Sequence, residues 1–180
     1  MDYFVPLCHL GCKMGTMQDL KAPVLAAFRV EHLFVSEGHR YVGRHGKEPL
    51  DFPTIEVDEV RCVSRRGILG DRFYDSPEGH KGQVTFFSME VYESMCAKLG
   101  VWDKPPSVLR RNVFVRDIDL GSLIGAAFSL QGVGFEGVEE CRPCYWMDAA
   151  FGPGAEDFLK GRGGLRARVV CDGVLRTSPL

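Results

Sequence analysis

Short β-rich runs, each closed by glycine or by a turn pair, recur along this chain and constrain its fold more than any other feature. AFRVEHLFV at Ala27 to Val35 and TIEVDEVRCV at Thr54 to Val63 partly alternate apolar with polar residues. Gln83 to Phe87, Asn112 to Val115, Ala126 to Leu130 and Val133 to Val138 are further β-rich runs set between glycines. A period near two places successive side chains on opposite faces of a sheet, so these runs predict strands. Leu165 to Cys171 predicts another, and the Asp172-Gly173 pair after it predicts a hairpin. The period changes between Ser88 and Gly100, where Val91, Met95 and Leu99 recur every four residues between a capping serine and a terminating glycine. That stretch predicts a helix of about three turns. A second short helix is expected at Ala155 to Lys160, stopped by Gly161. The expected architecture is mainly β, a curled, barrel-like sheet with one or two short helices, and not an alternating βαβ array.

Composition limits the function classes. At 180 residues and 45% hydrophobic content the chain can bury its own core, and a single domain is expected over residues 23 to 180. Residues 1 to 22 have no clear period and read as an N-terminal extension. The 22 basic and 24 acidic residues nearly cancel, so no global field calls for nucleic acid or an anionic membrane. The longest apolar run, Ala22 to Phe28, has seven residues against the ~20 of a membrane span. The N-terminus also lacks a basic region followed by an apolar stretch. A cytoplasmic location is expected, and seven cysteines without a secretory signal predict reduced thiols.

Two of those thiols stand together in EGVEECRPCYWMD, at Cys141 and Cys144. Such a pair can be half a zinc site, a redox dithiol, a soft-metal or sulfur ligand, or two packed thiols. A redox dithiol belongs at the start of a helix in a βαβ unit, whereas Cys141 follows a strand-like run. Zinc needs four ligands, and the other cluster is CHLGC, with Cys8, His9 and Cys12 at non-standard spacing. Packing as a small hydrophobe suits Cys62, Cys96 and Cys171. It suits Cys144 less, because Pro143 fixes the backbone before it and Arg142 can stabilise a thiolate. Pro143 also favours an extended Arg142, so the two thiols are expected to point in different directions, with one facing a pocket.

Arginine dominates the basic residues, with 15 arginines and 7 lysines. Arg65-Arg66, Arg110-Arg111 and the GRGGLRAR segment holding Arg162, Arg166 and Arg168 border turns. The guanidinium fork grips phosphate or carboxylate bidentately, so these clusters point to an oxyanion pocket. His80, entering a strand, is a candidate donor, acceptor or proton relay, and Gln83 can present both donor and acceptor to a ring edge. Asp71 and Asp148 read as turn or capping residues, and His39 and His45 as members of a loop bordering the pocket.

The ordered segments RRGILGDRFY (Arg65 to Tyr74), HKGQVTFFSMEVYE (His80 to Glu93), RRNVFV (Arg110 to Val115), GAAFSLQGVGFEG (Gly125 to Gly137) and Pro143-Cys144 resemble the MOSC domain, named for the C-terminal domain of molybdenum cofactor sulfurases. The likeness runs over roughly residues 28 to 176 and is similar to the short, stand-alone bacterial type. It implies a β-rich barrel of the MOSC/PK type that binds molybdenum cofactor, a molybdopterin, with a cysteine as metal ligand or persulfide carrier. The family's Pro-Cys falls on Cys144, its Arg-x-Asn element on Arg110-Arg111-Asn112 and its Gly-Asp-Arg turn on Gly70-Asp71-Arg72. A thiolate is a soft donor for molybdenum, and arginines suit the pterin's phosphate. Cys141 is a second thiol that the family pattern does not require, and so an alternative ligand.

The expected function is sulfur transfer or molybdenum-dependent redox chemistry, or else non-catalytic carriage of the cofactor. A Cys-x-x-Cys redox or zinc protein is the remaining alternative. No desulfurase domain is recognisable, so sulfur would come from a partner cysteine desulfurase, or electrons from an electron-transfer partner. The resemblance places pyridoxal phosphate in that other domain, and with Lys81 the only lysine inside a motif, no Schiff base is expected here.

Overall fold

The computed structural model describes residues 21–24, 28–41, 47–77 and 80–178. Cys8, His9, Cys12 and His45 lie outside the described residues. The fold is mainly β, with two sheets and three short α-helices among the described residues. In chain order the strands are β1 (Lys21–Val24), β2 (Arg29–Val35), β3 (Ile55–Val57), β4 (Glu59–Val63), β5 (Gly67–Ile68), β6 (Val84–Ser88), β7 (Val113–Arg116), β8 (Ala126–Leu130), β9 (Val133–Glu140), β10 (Leu165–Cys171) and β11 (Gly173–Arg176). The larger sheet has eight strands in the order β1-β8-β9-β10-β6-β7-β2-β3, and the smaller has three in the order β11-β4-β5. The larger sheet is curled but open, with β1 and β3 at its edges among the described residues.

Side-chain alternation divides the interior into two layers. Leu33, Phe86, Val113 and Val115 of the large sheet meet Val60, Cys62, Ile68 and Leu175 between the sheets. Their chain neighbours Phe34, Phe87 and Phe114 point the other way, under the helices. This is the period-two rule applied to central strands buried on both faces, and it explains why VTFFS at β6 has no exposed residue. Burial pushes the Cys62 thiol pKa up to about 12, as befits a core residue.

The helix α1 (Met89–Leu99) forms where the four-residue period predicts it. Ser88 accepts from the Val91 N–H at 3.2 Å, and Gly100 closes the C-terminus in the left-handed region at φ 66°. The helices α2 (Trp146–Ala150) and α3 (Ala155–Leu159) follow Cys144. Asp148 accepts from the Glu156 N–H at 2.7 Å in the first turn of α3, the capping role expected of it.

Two local expectations fail for one reason, which is that the chain changes sheet. Thr54 to Val63 is not one strand, since β3 pairs with β2 in the large sheet and β4 with β5 and β11 in the small one. Asp172-Gly173 does not close a hairpin either. Strand β11 pairs with β4, Gly173 opposite Cys62, because Asp172 accepts from the Ser64 N–H at 2.6 Å and the crossing buries Leu175 in the core. Among the described residues no helix is long and apolar enough to cross a membrane.

Candidate functional site

The chain's candidate chemistry converges beside the ends of β6, β7, β9 and β10. In the turn after β5, Gly70 has φ 83°, and Asp71 behind it is wholly buried. Its carboxylate accepts from the backbone N–H groups of Ser36 and Phe73 at 3.2 and 3.1 Å and from Asn112 Nδ2 at 3.0 Å. Arg72, whose side chain is only 5% exposed, donates to Asp71 at 3.4 Å and to the Arg110 carbonyl at 3.1 Å. Its Nε is buried without a hydrogen-bond partner.

The Arg110-Arg111-Asn112 element divides into three roles. Arg110 is held in the left-handed region at φ 56° after the short helical turn Pro106–Leu109, and its guanidinium stacks over Tyr41 at 5.0 Å. Arg111 is buried and donates to the carbonyls of Gly163, Leu109 and Cys141 at 3.1, 3.1 and 3.2 Å. Asn112 is a core tie. Its side-chain oxygen accepts from the Thr85 N–H and hydroxyl, and its amide nitrogen donates to Asp71 and to the Phe34 carbonyl.

The two cysteines follow β9. Cys141 is buried and Cys144 is exposed, and both residues line one cavity of about 190 Å³. The glycines of the GRGG segment permit this packing, since a Cβ on Gly163 would lie 2.2 Å from the Cys141 carbonyl oxygen. Arg72, Arg110, Arg111 and Arg166 share the cavity with the thiols, and Arg142 stands exposed at its rim. Phe73, His80, Trp146 and Met147 complete much of the wall.

Crowding of cations sets the electrostatics. Burial, then the neighbouring Arg72, lowers the Arg110 pKa to about 10, with Tyr41 and Cys144 opposing. Burial likewise lowers Arg72, against the attraction of Asp71 and with the repulsion of Arg111. For Arg166, burial is outweighed by the hydrogen bond and charge of Cys141 and by Glu139, and its pKa rises. His39 is lowered by burial, then by Arg72 and Arg110, and His80 by burial, then by Arg166 and Arg168.

Of the residues singled out in the sequence, Arg72, His80, Arg110, Arg111, Arg166, Cys141 and Cys144 meet at the cavity. Five do not. Arg65 is exposed in a turn and Arg66 pairs with Asp75 in solvent while lying over the Tyr74 ring. Gln83 is buried away from the cavity, its amide donating to the Arg65 carbonyl at 2.6 Å and accepting from the Val169 N–H at 3.1 Å. Asn112 is spent as described, and Arg162 is exposed over Phe158. Phe73 and Trp146 were missed as wall residues, although one directly follows Arg72 and the other stands two places after Cys144. Tyr41, which stacks on Trp146 with centroids 4.0 Å apart, carries no signal in the sequence.

The donor set bears on which cofactor could be held. Among the described residues no three His, Cys, Asp or Glu side chains cluster as a metal site, so a metal here would rely on one or two thiols and bring its other ligands with it. Soft sulfur donors beside guanidiniums, with a buried arginine N–H unpaired, fit an anionic, sulfur-ligated metal group. At about 190 Å³, the space is below the ~300 Å³ at which pockets for whole drug-sized ligands begin, so part of such a molecule would stay outside.

The family model for the MOSC domain matches residues 73–177, more than half of the chain. That stretch includes both cavity cysteines and Arg110 to Asn112, and begins just after Arg72. Among solved structures, the YuaD protein of Bacillus subtilis is similar, with a TM-score of 0.61 and 19% identity, covering 83% of this chain and 91% of that one. YiiM of Geobacillus stearothermophilus has a TM-score of 0.60 at 12% identity, covering 83% and 71%. YiiM of Escherichia coli has 0.56 at 16%, covering 82% and 65%. At these identities the likeness concerns the fold alone. No curated protein matches the chain.

Proposed function

Because the chain belongs to the MOSC domain family, we propose that its cavity receives the metal-bearing, anionic part of a molybdenum cofactor and that Cys144 is the protein thiol that meets it. The observation that carries this reading is the placement of an exposed thiol, Cys144, and a buried one, Cys141, in a single cavity with four guanidiniums. When bound, the cofactor would supply molybdenum redox chemistry or a metal-bound sulfur.

The chain's own groups bind, orient and hold sulfur. Arg72, Arg110 and Arg166 offset the negative charge of the group, and Arg111 fixes the carbonyls of Cys141 and Gly163, so that the loop carrying Cys144 keeps its shape. Trp146 and Tyr41 shield one side from water. In sulfur transfer, the Cys144 thiolate attacks the outer sulfur of a persulfide on a partner cysteine desulfurase. The partner's S–S bond breaks, its cysteine leaves as thiolate, and Cys144 holds the persulfide. Cys141, being buried beside Arg166, is a supporting thiol and the alternative ligand. The same thiols and guanidiniums would equally serve a second reading, carriage of the cofactor to another protein without turnover.

Elemental and mass-spectrometric analysis of the purified protein for molybdenum and pterin tests the proposal. Wild type is expected to contain both, Cys144→Ser to lose the metal or the persulfide, and Cys141→Ser to retain part. Limited alkylation of the cofactor-free protein should label Cys144 first. Retention of metal and sulfur by Cys144→Ser, with Cys141 labelled first, would exchange the roles of the two thiols. An electron-donor-dependent reductase assay on the loaded protein separates redox enzyme from carrier.

A further inference from the structure

We propose that Cys141 and Cys144 form a two-station sulfur relay, in which the exposed Cys144 receives a sulfur atom and the buried Cys141 takes it over and keeps it out of solvent. The relay rests on the persulfide reading above and adds a second catalytic thiol to it.

Burial supplies the first observation. Both cysteines line the same cavity, yet Cys144 is exposed while Cys141 is only 5% exposed. A donor protein can reach Cys144, whereas it cannot press its own persulfide against Cys141. A persulfide left on Cys144 stands open to any small thiol in solution, because exchange depends on access to the sulfur attacked. Cys141 offers the same chemistry one step further in.

Charge supplies the direction. Arg166 is hydrogen-bonded to Cys141 and Arg72 is drawn to the same sulfur, whereas Arg110 is drawn to Cys144. Inside the cavity the dielectric is low, and attraction to two guanidiniums offsets the desolvation of a sulfur anion.

The backbone supplies the third observation. Cys141 is held on both sides, its N–H donating to the Gly164 carbonyl at 2.8 Å and its carbonyl accepting from Arg111 at 3.2 Å. Cys144 leads into α2, with its carbonyl accepting from the Met147 N–H at 2.8 Å. Between them Pro143 favours an extended Arg142, which opposes the Cα separation of roughly 4.4–6.8 Å that a direct disulfide requires. The outer sulfur of a persulfide stands about 2 Å beyond Cys144 Sγ and closes that much of the gap. The arrangement therefore favours passing a sulfur between the thiols over joining them.

In the step itself the Cys141 thiolate attacks the outer sulfur of the Cys144 persulfide. The S–S bond to Cys144 breaks, its electron pair leaves with the Cys144 sulfur, and the proton given up by Cys141 ends there. One S–S bond forms and one breaks, so no oxidant or reductant is consumed.

The test is a short pulse of inorganic polysulfide on metal-free protein, removal of the excess, and a chase. Alkylation and fragment-ion mass spectrometry then assign the added sulfur to one cysteine or the other. In wild type the sulfur is expected on Cys144 after the pulse and on Cys141 during the chase, with the total unchanged. Cys144→Ser should take up sulfur about tenfold more slowly, because the remaining thiol is buried. Cys141→Ser should keep its sulfur on Cys144 and lose it to cyanide, as thiocyanate, about tenfold faster than chased wild type. Arg166→Gln should shift the chased sulfur back toward Cys144, and Arg166→Lys, which keeps the charge, should restore part of the migration. Absence of added sulfur, sulfur that stays on Cys144 throughout the chase, charging of Cys141 in Cys144→Ser at the wild-type rate, or equal loss to cyanide in Cys141→Ser and wild type overturns the relay. Molybdenum uptake by protein whose sulfur never migrates refutes the relay alone, and migration in protein that takes up no cofactor refutes the cofactor reading alone.

Discussion

Replacing Arg111 by alanine tests whether this arginine is a ligand group or a brace. A resemblance-based assignment to the pocket predicts weaker cofactor retention with the fold intact, but the geometry predicts a folding defect. The guanidinium donates to the carbonyls of Leu109, Gly163 and Cys141 at 3.1, 3.1 and 3.2 Å, joining the turn before β7, the GRGG segment and the start of the cysteine loop. Leaving a buried acceptor unpaired costs about 1–3 kcal/mol, and three coupled losses with some repair by water amount to roughly 2–5 kcal/mol. For a chain of this length about 1 kcal/mol moves Tm by roughly 2–4 °C, so Arg111→Ala should lower Tm by about 5–15 °C. Urea unfolding with an unchanged m value should report the same loss. Arg111→Lys, with one compact ammonium in place of a planar fork, should fall between the two. The exposed Arg142→Ala should leave Tm within about 1 °C. If Arg111→Ala melts within about 2 °C of wild type while cofactor content collapses, the brace argument is wrong and the residue binds ligand directly.

Two further outcomes follow from the geometry. His39 and His80 have pKa values lowered in the fold by burial and nearby arginines, so protonation favours the unfolded chain. Their contribution is fully present above the ordinary histidine value of 6.5 and is lost as pH falls through the lower folded values. Tm measured from pH 7.5 down to 5 should therefore decline, and less steeply in His39→Gln/His80→Gln; an identical slope in that variant refutes the assignment. In Gly163→Ala the new Cβ would meet the Cys141 carbonyl oxygen at 2.2 Å, so the cysteine loop must move. A loss of about 1–3 kcal/mol in stability is expected by unfolding assay, whereas Gly161→Ala, at φ 74° in open space, should cost only about 1 kcal/mol; equal effects would mean that the close approach is unimportant.

Local pattern was legible wherever local physics decided the outcome. The ends of β8 and β10 coincide with the alternating runs, and α1 begins and ends at its capping residues, because each of these rests on a face, a cap or a glycine within the segment itself. The partner of a strand is different. Asp172-Gly173 makes a turn, but what it turns toward depends on Ser64 and on a core awaiting Leu175, neither of them nearby in sequence. The same limit separates the arginines. Arg66 and Arg72 both border glycine turns, and only the buried carboxylate of Asp71 draws Arg72 inward, while Asp75 keeps Arg66 in solvent. Gln83 was singled out for the versatility of its amide, and that same versatility lets it join the Arg65 turn to β10 instead.

The Asn112 tie has a kinetic consequence. Its amide reaches partners 27, 41 and 78 residues away in sequence, at Thr85, Asp71 and Phe34, so the polar floor beneath Arg72 closes only when distant parts of the chain have already met. Non-local closure of this kind comes late in folding, since the loop entropy must be overcome before the contacts form. In the native state the same amide should exchange its hydrogens with solvent only through openings that approach global unfolding. An occupant of the cavity would thus rest on a floor that opens only with the fold itself, while the exposed Cys144 beside it stays within reach of solvent.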